Sequence, residues 1–218
     1  WFPTGVGKTD SNIGLTCFTI FLRRLRHGAS EAKAGGVTVL MRYTLRLLTI
    51  QQFQRASSLI MACEYLRRIT PEKLGHIPIS LGLWVGGKAT PNQLKFARKG
   101  LDDLLAGERV LEGNPYQIQL CPWCGTKITP RNYNIESTMV IQCPNTKCEF
   151  NEKLPLYLID EDVYNKKPSL VIGTVDKFAR LPWLDKTSAL FGMLGQETLP
   201  PELIIQDELH LISGPLGT

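Results

Sequence analysis

Apolar and polar residues change rhythm several times along this chain, and each change marks an element. From Ser11 to His27 (SNIGLTCFTIFLRRLRH) apolar residues recur at helical spacing, and the stretch ends in a cluster of Arg23, Arg24 and Arg26. Positive charge in a last helical turn complements the macrodipole, so these arginines are expected at a helix terminus. Gly35-Gly36 interrupts the pattern, and Val37 to Met41 is a short β-branched run of the buried-strand kind. A long helix is predicted over 45–68, a strand over 77–85 closed by Gly86-Gly87, and a more polar helix over 91–105. A turn-rich region holding four cysteines follows, and then two further apolar runs, Ser169–Gly173 and Glu202–Gln206. Strands apolar on both faces, alternating with helices, predict an α/β domain with a mainly parallel sheet.

At 218 residues and 43% hydrophobic, the chain can bury a core of one domain, with room for a small insertion. Its 25 Lys and Arg against 20 Asp and Glu leave a mild positive charge, compatible with a polyanionic partner without requiring one. The longest apolar run, Ile13 to Leu22, is too short to span a bilayer. No signal peptide is visible, and a cytoplasmic location is expected.

Cys121-Pro-Trp-Cys124-Gly125 and Cys143-Pro-Asn-Thr-Lys-Cys148 set two cysteine pairs 18 residues apart. Such spacing puts four thiolates on two turns that can converge on one tetrahedral Zn²⁺, in preference to disulfides, and so points to a reducing compartment. Four thiolates leave no open position, so the metal is expected to be structural, with 138–142 as a strand leading into the second pair. Trp123, Lys127, Arg131 and Tyr133 suit either stacking on a partner or packing of the small module. Cys17 and Cys63 lie at apolar helical positions and are expected in the core.

Two further stretches carry chemistry. Thr4-Gly5-Val6-Gly7-Lys8-Thr9 has the character of a phosphate-binding loop: glycines let backbone N–H groups converge on phosphate oxygens, Lys8 would reach the β- and γ-phosphates, and Thr9 would ligate Mg²⁺. The helix that follows would add its positive dipole end to the same site. Phe2 stands where the general form of the loop has a glycine. Near the other end, the apolar run Leu203-Ile204-Ile205 leads into Asp207-Glu208-Leu209-His210. There Asp207 would hold Mg²⁺, directly or through water, and Glu208 would polarise the attacking water.

Taken together, these two stretches resemble motifs I and II of superfamily 2 helicases of the DEAH-like kind. Other residues fall into the order this resemblance requires: Tyr43-Thr44-Leu45-Arg46 is similar to motif Ia, Gly86-Gly87 to motif Ib, and Gly173-Thr174-Val175-Asp176-Lys177-Phe178 to a Thr-Pro-x-Arg-like element, with Val175 and Lys177 as departures. The resemblance implies that Thr44, Arg46, Gly86, Gly87, Thr174 and Lys177 grip a nucleic-acid backbone, and that His210 couples that grip to hydrolysis. More narrowly, WFPTGVGKT, VTVLMRYTLRLLTIQQFQRA, CPWCG and LIIQDELHLISGPLGT together resemble the helicases of bacterial DISARM anti-phage systems, with Asp10 where Glu is expected.

The implied architecture is a RecA-like P-loop domain in two parts, 1–115 and 161–218, interrupted by a zinc ribbon over 116–160. The implied activity is ATP hydrolysis, with Mg²⁺, coupled to movement on nucleic acid, DNA being the expected track and other defence proteins the expected partners. In this family a strand precedes motif I, motif III follows motif II, and a second RecA-like domain supplies arginine fingers. The chain therefore reads as a motif I to motif II segment with little hydrolysis of its own. The rival reading is a P-loop nucleotide switch whose zinc ribbon docks proteins; a further one is a zinc-dependent DNA-binding module without catalysis.

Overall fold

Strands rich in Val, Leu and Ile need cover on both faces, and parallel pairing supplies it because each crossover can lay a helix on the sheet. The computed structural model describes residues 8–28, 30–44, 46–179, 185–193 and 197–207. Helix α1 (Lys8–His27) leads through the short α2 (Glu31–Ala34) into β1 (Val39–Tyr43). Helices α3 (Arg46–Ile69) and α4 (Pro71–Leu74) lead into β2 (Leu81–Trp84), and α5 (Leu94–Leu105) follows it. The cysteine-bearing segment holds the hairpin of β3 (Tyr133–Ile135) and β4 (Met139–Ile141). Last come β5 (Leu156–Tyr157), α6 (Asp160–Lys166), β6 (Leu170–Thr174), α7 (Val175–Phe178) and β7 (Leu203–Gln206).

The main sheet has five strands in the order β5-β2-β6-β1-β7, and every pairing in it is parallel. Strands β1, β2 and β6 are buried along almost their whole length, which answers to their two-faced apolar sequences. At the outer position among the described residues, β7 leaves Ile204 58% exposed. The helices predicted over 11–27, 45–68 and 91–105 appear with ends shifted by one to three residues. The strand predicted over 77–85 narrows to Leu81–Trp84, because pairing begins only where Leu81 meets Leu156 and Leu170. Strand β5 has two residues, too few to show a period, and it returns the chain to the main sheet at Leu156.

The arginines do end α1, as expected, but two of them are not solvated. Arg23 and Arg24 are buried, because the segments entering β1, β6 and β7 cover this helix end. Arg23 donates to the carbonyls of Lys33, Val37, Leu199 and Pro200 and to Thr38 Oγ1, and lies 3.7 Å from Glu202. It satisfies carbonyls that no ladder reaches and ties α1 to the starts of β1 and β7.

A second buried charge closes α3. Glu64, 1% exposed, accepts from Arg67 at 2.7 and 2.8 Å, from Arg68 at 3.0 Å and from the Ile79 N–H at 2.7 Å. Burial alone would raise its carboxyl, but the donors from Arg67, Ile79 and Arg68 prevail and hold it below its ordinary value. A depressed folded value stabilises the protein above the unfolded value, about 4.5, and that contribution disappears as pH falls through the folded one. Glu64→Gln is therefore expected to cost about 3 kcal/mol at neutral pH and to make stability less steep in acid, as read by denaturant melts between pH 3 and 7. Equal stability with an unaltered acid limb would contradict this role.

Candidate functional site

In a parallel sheet all strands stop at the same edge, and the loops that leave them form a common rim. The register pairs Tyr43 with Thr174, Trp84 with Gly173 and Arg42 with Gln206, so the ends of β1, β2, β6 and β7 are level. Along this rim stand Thr44 after β1, Arg46 at the start of α3, Gly86-Gly87 after β2, Thr174 at the end of β6 and Asp207 after β7. The Asp207 N–H donates to the Arg42 carbonyl at 3.0 Å, which continues the β1–β7 ladder by one step. Burial and, after it, the Asp207 carboxylate push the Tyr43 phenol up to about 12. Thr174 is buried, and its Oγ1 has no hydrogen-bond partner among the described residues. A Cβ on Gly173 would come within 2.9 Å of the Trp84 carbonyl, so this approach of β6 to β2 requires glycine.

Helix α1 packs against β1 and β7 and is fixed at its far end by Arg23 to the opposite edge of the sheet. Lys8 begins the helix fifteen residues before Arg23, a rise of about 22 Å. Lys8 and Thr9 open this 20-residue helix. Thr4, Gly5, Gly7, Glu208 and His210 lie outside the described residues, as do the side chains of Lys8, Thr9 and Arg46.

Lys177 is 5% exposed, and its ammonium is held between the Asp160 carboxylate and Asn92 Oδ1, the latter at 3.1 Å. Asn92 belongs to the segment that follows Gly86-Gly87, and a Cβ on Gly87 would meet its side chain at 3.0 Å. Glu161 joins the same junction: it donates its N–H to the Asn92 carbonyl, and its Oε2 accepts the Leu94 N–H at the head of α5. The lysine therefore fastens the loops after β2 and β6 to α6. Sequence reasoning missed Asn92, Asp160 and Glu161, which lie far from their partners along the chain. Beside this junction a cleft of about 410 Å³ is lined by Gly87, Asn92, Phe96, Lys99 and Asp103. Helix α5 there exposes Lys95, Arg98 and Lys99 around Phe96, itself 55% exposed.

The four cysteine sulfurs lie within 4.8 Å of one another, with Cys121 and Cys148 3.9 Å apart and Cys124 and Cys143 3.5 Å apart. Zn–S bonds of about 2.3 Å at tetrahedral angles need sulfurs about 3.8 Å apart. Disulfides would need about 2.05 Å, so these separations fit one metal centre that could hold zinc. Gly125 takes φ 74°, open to glycine, and turns the first pair so that its N–H reaches the Cys121 carbonyl at 2.9 Å. Strand β4 leads into Cys143, as the pattern over 138–142 predicts. The module rests on α3: Trp123 lies 5.3 Å from both Tyr65 and Phe150, and the Arg68 guanidinium covers Phe150 at 4.4 Å. Tyr133 is buried and bonds Ile118, while Lys127 and Arg131 are exposed.

Fold and site together define an α/β domain with a parallel five-stranded sheet and a four-cysteine centre docked on its longest helix. No family model matches the chain. The chain is 41% identical, over 266 aligned positions that take in its whole length, to DISARM protein DrmA of Bacillus paralicheniformis, and this likeness supports a DISARM-related protein. It spans 23% of that relative's length. Among the described residues no helix is long and apolar enough to cross a membrane.

One zinc per chain is expected on elemental analysis of the purified protein, with Cys143→Ser or strong chelation removing it and lowering Tm by several degrees. Metal content indifferent to Cys143→Ser would contradict the assignment.

Proposed function

We propose that the chain is a RecA-like P-loop domain of a superfamily 2 nucleic-acid motor, with an inserted zinc ribbon that ends before β5, acting in anti-phage defence. The observation that supports this reading is the level register of β1, β2, β6 and β7, which puts Thr44, Gly86-Gly87, Thr174 and Asp207 along one rim of the sheet. The likeness to the DISARM protein DrmA supports the defence role.

On this reading Lys8 binds the β- and γ-phosphates of ATP, and the first-turn N–H groups of α1 share their charge. Thr9 and Asp207 hold Mg²⁺, which neutralises phosphate charge when bound. Glu208 orients the attacking water and takes its proton; His210 links that step to the rim loops. Thr44, Arg46, Gly86, Gly87 and Thr174 meet the backbone of a nucleic acid, DNA foremost, through hydroxyls, amides and charge, all independent of base sequence. Lys177 acts from behind this contact surface, holding the loops after β2 and β6 in position through Asp160 and Asn92.

The test is ATP hydrolysis by the full-length protein with and without single-stranded DNA, duplex DNA and RNA. One polymer is expected to stimulate turnover, and Glu208→Gln to cut it by on the order of 10²–10⁴-fold while nucleotide still binds. Hydrolysis indifferent to all three polymers would overturn the motor reading and favour a nucleotide switch with a zinc-ribbon docking module.

A further inference from the structure

Two cysteines outside the zinc centre meet across the packing of the two long helices. Cys17 of α1 and Cys63 of α3 have their sulfurs 3.2 Å apart, 46 residues apart in sequence, and neither is in a disulfide. A closure of about 1 Å separates this contact from a disulfide bond of about 2.05 Å. Their surroundings divide the roles: Cys17 is half-buried, whereas Cys63 is buried. The zinc centre is a separate group of four, so the pair is not a spare ligand of that site. We propose that Cys17 and Cys63 form a reversible peroxide-responsive dithiol, which closes to a disulfide that braces α1 against α3.

The chemistry follows from the geometry. The Cys17 thiolate attacks one oxygen of hydrogen peroxide; the O–O bond breaks, the sulfur becomes a sulfenic acid, and the departing oxygen leaves as water. The Cys63 sulfur then attacks the Cys17 sulfur; the S–S bond forms, the S–O bond breaks, and a second water leaves with the Cys63 proton. Two thiols have lost two electrons, and one peroxide has been reduced to two waters. The hydrogen bond from Cys63 lowers the Cys17 thiol below its ordinary value against the opposing effect of burial, which suits Cys17 to attack first. Cys63 is pushed up by that bond and by burial, which suits it to wait as the resolving thiol.

The full-length, zinc-loaded protein is to be treated with near-stoichiometric hydrogen peroxide, alkylated, digested and mapped by mass spectrometry. Expected are a cross-linked pair of peptides carrying Cys17 and Cys63, loss of alkylation at both, and full reversal by dithiothreitol. In Cys63→Ser, Cys17 is expected to stop at the sulfenic acid and be captured by dimedone, which keeps the proposal testable if the bridge itself perturbs folding. It is overturned if both cysteines stay alkylatable at doses that already oxidise Cys121, Cys124, Cys143 or Cys148. It is equally overturned if the wild type accumulates the dimedone adduct as fully as Cys63→Ser does, or if Cys17 bridges elsewhere.

Discussion

Parallel pairing is the constraint on which this structure depends. Once β1 lies between β6 and β7, and β2 lies beyond β6, all running the same way, every connection must cross the sheet and return to its starting edge. Residues distant in sequence then have no choice but to meet: Thr44, Gly86, Thr174 and Asp207 come level because their strands do. Helix α1 is pinned to the strand starts by Arg23, which bonds the Val37 and Leu199 carbonyls.

Buried charge organises what the sheet leaves over. Segments entering a sheet carry carbonyls that no ladder can satisfy, and Arg23 collects several of them where a solvated arginine would do nothing. Glu64 does the complementary task for two arginines and the Ile79 N–H. Through Arg68, which reaches from Glu64 to the Glu149 carbonyl and the Phe150 ring, the four-cysteine module is coupled to the interior of the main domain. A metal held by the four cysteines would therefore also steady α3, the helix whose first residue is Arg46.

What the sequence made legible was local. Strands β1, β2 and β6 announce themselves because burial on both faces leaves an uninterrupted apolar run, and the metal centre because two tight turns carry its ligands at short spacing. The order of the rim residues was readable only through resemblance to a known motif series. What escaped was tertiary. Lys177 looks like a free phosphate ligand until Asp160 and Asn92 are seen around it. Arg23 and Arg24 mark a helix end, but their burial follows only from the strand approaches that cover them. Cys17 and Cys63 are core residues, as expected, but that their sulfurs meet follows only from the packing of their helices. In each case the decisive neighbour lies outside any window in which periodicity operates.

The central claim is that nucleic acid engages the rim formed by the carboxyl ends of the strands. It is tested most directly by ultraviolet cross-linking of a single-stranded oligonucleotide to the full-length protein, with the attachment sites mapped by mass spectrometry. Adducts are predicted in segments 43–46, 86–92 and 173–178. Adducts confined to the opposite edge, in 77–80 and 197–202, or to the zinc module alone would contradict it.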